Sequence, residues 1–118
     1  MRILALAATT ILTVTASTAA QAHAFLDHAE PRVGSTVSTA PRELVLFFSQ
    51  KLEPAFSAIE VSDANGARVD QGKTRVEATT MRVNLKHLTP GSYKVRWRVL
   101  SVDTHTSQGS FTFRVGGR

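Results

Sequence analysis

The sequence of 118 residues contains no cysteine. A chain without thiols builds no disulfide, thiolate nucleophile, iron–sulfur cluster, Cys-ligated zinc site or Cys-ligated blue-copper site. Any metal it holds must be bound through nitrogen and oxygen. Aromatics are also few, with one tryptophan, one tyrosine and six phenylalanines. Acidic residues (9) fall short of basic ones (14), but the excess is scattered, apart from the alternation Lys94, Arg96, Arg98. Nucleic-acid binding calls for a clustered basic patch with stacking aromatics or a recognisable module, so no nucleic-acid partner is expected and this row reads as a solvated face. No apolar run reaches the ~20 residues that a membrane span requires. The length fits one domain.

Met1 to Ala22 reads as an export signal. Arg2 supplies a short positive start, Ile3 to Val14 is apolar apart from its threonines, and small residues lead to Ala20-Gln21-Ala22, an A-x-A cleavage pattern. Cleavage after Ala22 predicts a single domain over residues 23–118, exported to the periplasm and not spanning the membrane. That chain would begin with His23.

Apolar residues alternate with polar ones through most of the remainder. Tyr93, Val95, Trp97 and Val99 point one way while Lys94, Arg96 and Arg98 point the other, the period of a half-buried strand. Phe111, Phe113 and Val115 repeat the pattern, as do Met81, Val83 and Leu85. Phe56 to Val61 is another β-rich run. Glu43 to Phe48 is a further one, its continuous Leu44-Val45-Leu46-Phe47-Phe48 suiting a strand buried on both faces. Asn65-Gly66 and Pro90-Gly91 mark turns, Asn65-Gly66 as a type I′ hairpin signal. No segment supports a substantial helix. The expectation is an all-β, immunoglobulin-like Greek-key sandwich of about seven strands.

The chemistry-bearing residues are His23, Asp103 and His105. An N-terminal histidine chelates alone, because its free α-amine and its imidazole close one ring on a metal. An internal histidine cannot, its nitrogen being an amide. Asp103 and His105 stand two apart, so an extended segment puts both on one face. The set supplies three nitrogens and one oxygen, which in a tetragonal plane suits Cu(II); Zn(II) takes the same donors but prefers a tetrahedron. His28 lies five residues from His23, on the opposite face of a regular strand unless a bulge brings it inward as an extra ligand. Asp27 and His87 read as solvated.

From His23 to about Gly116 the chain resembles the CopC family of periplasmic copper-binding proteins, YobA-like members included. The resemblance rests on His23-Ala24-x-Leu26 with Pro31 and Gly34, on Leu46-x-Phe48-Ser49, and on Pro90-Gly91-x-Tyr93-x-Val95-x-Trp97-x-Val99-x-Ser101-x-Asp103-x-His105. Gly109 and Phe111-x-Phe113-x-Val115 complete it. The resemblance implies a β-sandwich holding one Cu(II) through His23, Asp103 and His105. It also implies a non-enzymatic carrier or buffer in copper homeostasis or resistance, often alongside a CopD-type inner-membrane copper protein. Two features depart from the family. The stretch Gln50 to Phe56 lacks the methionines that bind Cu(I) in some members, and Met81 reads as a core residue. Thr104 stands where glycine is frequent, and predicts an extended backbone between the ligands. Two other functions fit less well: a copper oxygenase of the lytic polysaccharide monooxygenase type, for which the chain is small, and a partner-docking module with incidental histidines.

Overall fold

The computed structural model describes residues 25–117. The expected export segment, Met1 to Ala22, and His23 lie outside the described residues. Eight strands form two four-stranded sheets: β1 (Leu26–Glu30), β2 (Thr36–Val37), β3 (Glu43–Phe48), β4 (Ala58–Asp63), β5 (Asp70–Glu77), β6 (Thr80–Leu85), β7 (Gly91–Leu100) and β8 (Thr106–Val115). One sheet has the order β1-β3-β6-β5 and the other β2-β8-β7-β4. Every pairing is antiparallel except that of the two-residue β2 with β8, and the eight strands compare with about seven expected. The only helical turn among the described residues is a 3-10 turn at Pro54–Phe56.

The alternating residues face each other across the sandwich. Leu44, Leu46 and Phe48 of β3 and Met81, Val83 and Leu85 of β6 meet Ile59 and Val61 of β4, Tyr93, Val95 and Val99 of β7, and Phe111, Phe113 and Val115 of β8. Met81 is fully buried, as its place in an alternating strand implies. Val45, on the opposite face of β3, is nearly buried too, so this strand is covered on both sides. Lys94, Arg96 and Arg98 face solvent. Trp97 is half-buried, edge-on to Phe48 at 5.1 Å between ring centres. It lies opposite Gly109 of β8, where a Cβ would come within 2.6 Å of the indole. Glycine there gives the indole its room.

Two expectations need correction. Phe56 belongs to the 3-10 turn rather than to a strand, and it is 65% exposed. The turn at Asn65-Gly66 sits where expected but is not type I′, because Gly66 has φ +83 while Asn65 is not in the left-handed region. It is a three-residue loop, closed by Gly66 N–H to Asp63 O (3.0 Å) and Asp63 N–H to Ala67 O (2.9 Å). The chain then leaves for the opposite sheet.

Candidate metal centre

β7 and β8 are joined through Ser101-Val102-Asp103-Thr104-His105. Ser101 N–H donates to His105 O at 2.9 Å, and Thr104 N–H donates to Ser101 O at 2.9 Å. The loop has the same form as Asp63–Ala67, and its last residue, Thr104, takes φ +72. The extended backbone expected at Thr104 is therefore not what forms. Closing a three-residue loop demands a left-handed residue in this place, and that demand overrides the β-branched preference for extended backbone.

The turn nevertheless brings the two side chains together. His105 Nδ1 lies 3.4 Å from Asp103 Oδ2, and both side chains are roughly half exposed. Two neighbouring ligands of one ion, with bonds of ~2.0–2.2 Å, sit ~3 Å apart. A carboxylate oxygen and an imidazole nitrogen at 3.4 Å fit that requirement with a small closure. The other carboxylate oxygen, Oδ1, accepts from the Ser101 hydroxyl and faces His105 N–H at 3.4 Å. The Ser101 hydrogen bond holds the Asp103 carboxyl below its usual range against some desolvation, helped by His105. An oxygen kept ionised in this way stays available to a cation at lower pH.

Ser101 stands in the motif that carries the family resemblance but has no role there, although a signal for one exists. It continues the inward series Tyr93, Val95, Trp97, Val99, and a polar residue in an inward position calls for a partner.

The rim carrying this turn also receives the start of the described chain. Phe25 N–H donates to Ser49 Oγ, and Ser49 N–H donates to Phe25 O, each at 2.9 Å. Two residues on, Lys51 O accepts from Val102 N–H at 3.0 Å. Leu52 then bridges to Ser101. The segment Ser49–Leu52 thus links Phe25 directly to the turn that carries Asp103 and His105.

The remaining histidines lie elsewhere. β1 does bulge between Leu26 and His28, but His28 stacks on Phe47 at 4.1 Å on the outer face of its sheet. Its Nδ1 pairs with Asp27 at 2.7 Å. His87 is exposed after β6. Among the described residues no three His, Asp or Glu side chains converge on one point; Asp103 and His105 stand as a pair.

A family model described as the CopC domain matches residues 26–116. The chain belongs to the CopC family. Copper resistance protein C of Pseudomonas syringae pv. tomato is 34% identical over 108 residues, covering 84% of this chain and 85% of that protein. The copper transport protein CutJ of Bacillus subtilis (strain 168) is 32% identical over 99 residues, covering 80% of this chain. The match spans only 18% of CutJ, so there a CopC-like region is part of a much longer protein. The crystal structure of CopC from Methylosinus trichosporium OB3b superposes with a TM-score of 0.75 at 32% identity, covering 80% of this chain and 94% of that one. The sandwich expected from the alternating strands is thus the fold of a CopC protein.

Proposed function

We propose that this CopC protein is a periplasmic Cu(II) carrier or buffer in copper homeostasis or resistance. It binds one ion per chain through the α-amine and imidazole of His23, the Asp103 carboxylate and the His105 imidazole. The observation that carries this reading is the pair Asp103 Oδ2 and His105 Nδ1, 3.4 Å apart on an exposed turn. The anchoring of Phe25 to the same rim supports the fourfold set, since two residues of extended chain reach ~7 Å. Copper is cargo here and no reaction is assigned to it. Three nitrogens and one oxygen favour Cu(II), which also heads the divalent affinity order. The buried Met81 offers no thioether to Cu(I). The partner in this reading is a CopD-type inner-membrane copper protein that receives or supplies the ion.

Electron paramagnetic resonance of the processed protein with one equivalent of Cu(II) tests the donor set. The expected spectrum is tetragonal with nitrogen coupling, and it changes in Asp103→Ala and in His105→Ala. Both variants should bind Cu(II) far more weakly while keeping their fold, because both side chains lie at the exposed rim. Wild-type titrations for both would remove this site.

A further inference from the structure

We propose that Ser101 is the positioning residue of the site, dividing the Asp103 carboxylate into one oxygen held by the protein and one left for the metal. This rests on the assignment of Asp103 as a copper ligand.

Ser101 is completely buried, which is unusual for a hydroxyl unless it has a fixed partner. Its Oγ donates to Asp103 Oδ1 and lies 3.1 Å from His105 O. A hydroxyl has a single hydrogen, and the charged carboxylate is the stronger acceptor. Oδ1 is further engaged by His105 N–H at 3.4 Å, inside the loop. Oδ2 makes neither of these contacts and faces His105 Nδ1 at 3.4 Å. The backbone of Ser101 meanwhile closes the same loop at both ends, through its N–H to His105 O and its C=O to Thr104 N–H. One buried residue therefore fixes both the turn that carries the two ligands and the rotation of the carboxylate.

The consequence is that Asp103 is set up to bind through one oxygen. A freely rotating carboxylate would have to be ordered when the ion arrives, and could offer both oxygens. Outer-shell groups of this kind typically set metal affinity by ~10–100-fold.

A double-mutant cycle of Ser101→Ala and Asp103→Ala tests this, read by Cu(II) competition titration and by the resonance spectrum of the copper-loaded protein. In the otherwise unchanged chain, Ser101→Ala should weaken Cu(II) binding by ~10–100-fold and alter the copper hyperfine splitting, with circular dichroism unchanged. In the Asp103→Ala background the same change should have no further effect, because a group acting through Asp103 has nothing left to position. Wild-type affinity and spectrum for Ser101→Ala would overturn the proposal. So would an equal loss in both backgrounds, which would mean that the hydroxyl acts through the fold. A Ser101→Ala chain that does not fold makes the hydroxyl structural and overturns it too. If Asp103→Ala leaves Cu(II) binding intact, the ligand assignment itself falls, and that outcome is separate from the others.

Discussion

Thr104 holds φ +72, a region where a β-branched side chain is an outlier and where glycine carries no steric penalty. Its equivalent in the Asp63–Ala67 loop is Gly66, with φ +83. Thr104→Gly should therefore stabilise the protein by up to about 1 kcal/mol, reduced by the greater freedom glycine gives the unfolded chain. The loop keeps its hydrogen bonds in that variant, so Cu(II) affinity should stay within a few-fold of wild type. Denaturant unfolding and a copper titration check the two halves of this prediction. Gly109 is the opposite case. A Cβ there meets the Trp97 indole at 2.6 Å, and the ring is packed edge-on against Phe48. Gly109→Ala should cost about 1–3 kcal/mol, followed through the fluorescence of Trp97, the chain's single tryptophan.

Among the elements, β5 shows how the sheets are tied together at an edge. Asp70 begins β5 in one sheet, and its Oδ1 accepts from Val61 N–H of β4 in the other at 2.9 Å. Arg68 donates to both of its oxygens at 2.7 Å. Burial pushes the Asp70 carboxyl up, but the hydrogen bonds from Arg68 and Val61 outweigh it and hold the group below its usual range. A carboxylate lowered in the folded state contributes stability above its unfolded value of about 3.9 and loses it as pH falls through the lower, folded value. The denaturant midpoint should therefore fall on acidification through this range. Asp70→Asn should flatten that limb and cost about 1–3 kcal/mol near neutrality.

The same strand marks the limit of what the sequence discloses. β3, β6, β7 and β8 were legible because each buries an alternating apolar face, and a one-residue slip would turn that face to water. The edge strands β1, β2 and β5 have little to bury. In β5 only Val76 packs against the core, so periodicity has nothing to register. Phe56 misled for a related reason, since an aromatic beside a β-rich run reads as core until Pro54 turns the chain outward. In the site, Asp103 and His105 were legible as residue types at a spacing. Their conformation was not, because the loop's need for a left-handed residue is set by the β7–β8 register rather than by Thr104 itself. Ser101 was legible as a motif residue but not as a partner of Asp103, because only the fold shows that its inward position ends beside that carboxylate.

At the scale of the whole molecule, the sandwich keeps Met81, the one methionine among the described residues, in the core and the proposed ligands Asp103 and His105 on one rim. The proposed site implies one Cu(II) per chain and poor retention of Cu(I), because among the described residues the one thioether, that of Met81, does not reach the surface. Anaerobic titration with Cu(I) checks this, and tight stoichiometric binding would contradict it. The rim itself is assembled from distant sequence. Phe25 is pinned to Ser49, and Lys51 to the turn that bears Asp103 and His105. A donor entering just ahead of Phe25 would complete a site whose other half is already arranged.

In the proposed site that donor is the α-amine of His23, which is available only if nothing precedes the residue. Any added residue turns the amine into an amide, which is not a useful neutral donor at pH 7, although every side chain remains. The decisive measurement is a Cu(II) competition titration of protein beginning at His23 against protein carrying one extra glycine ahead of it. The extension should weaken binding by orders of magnitude. The unextended protein should also lose copper on acidification, because protons compete for the same nitrogens. Equal affinities for the two proteins would mean that the amine is not a ligand, and would contradict the proposed site.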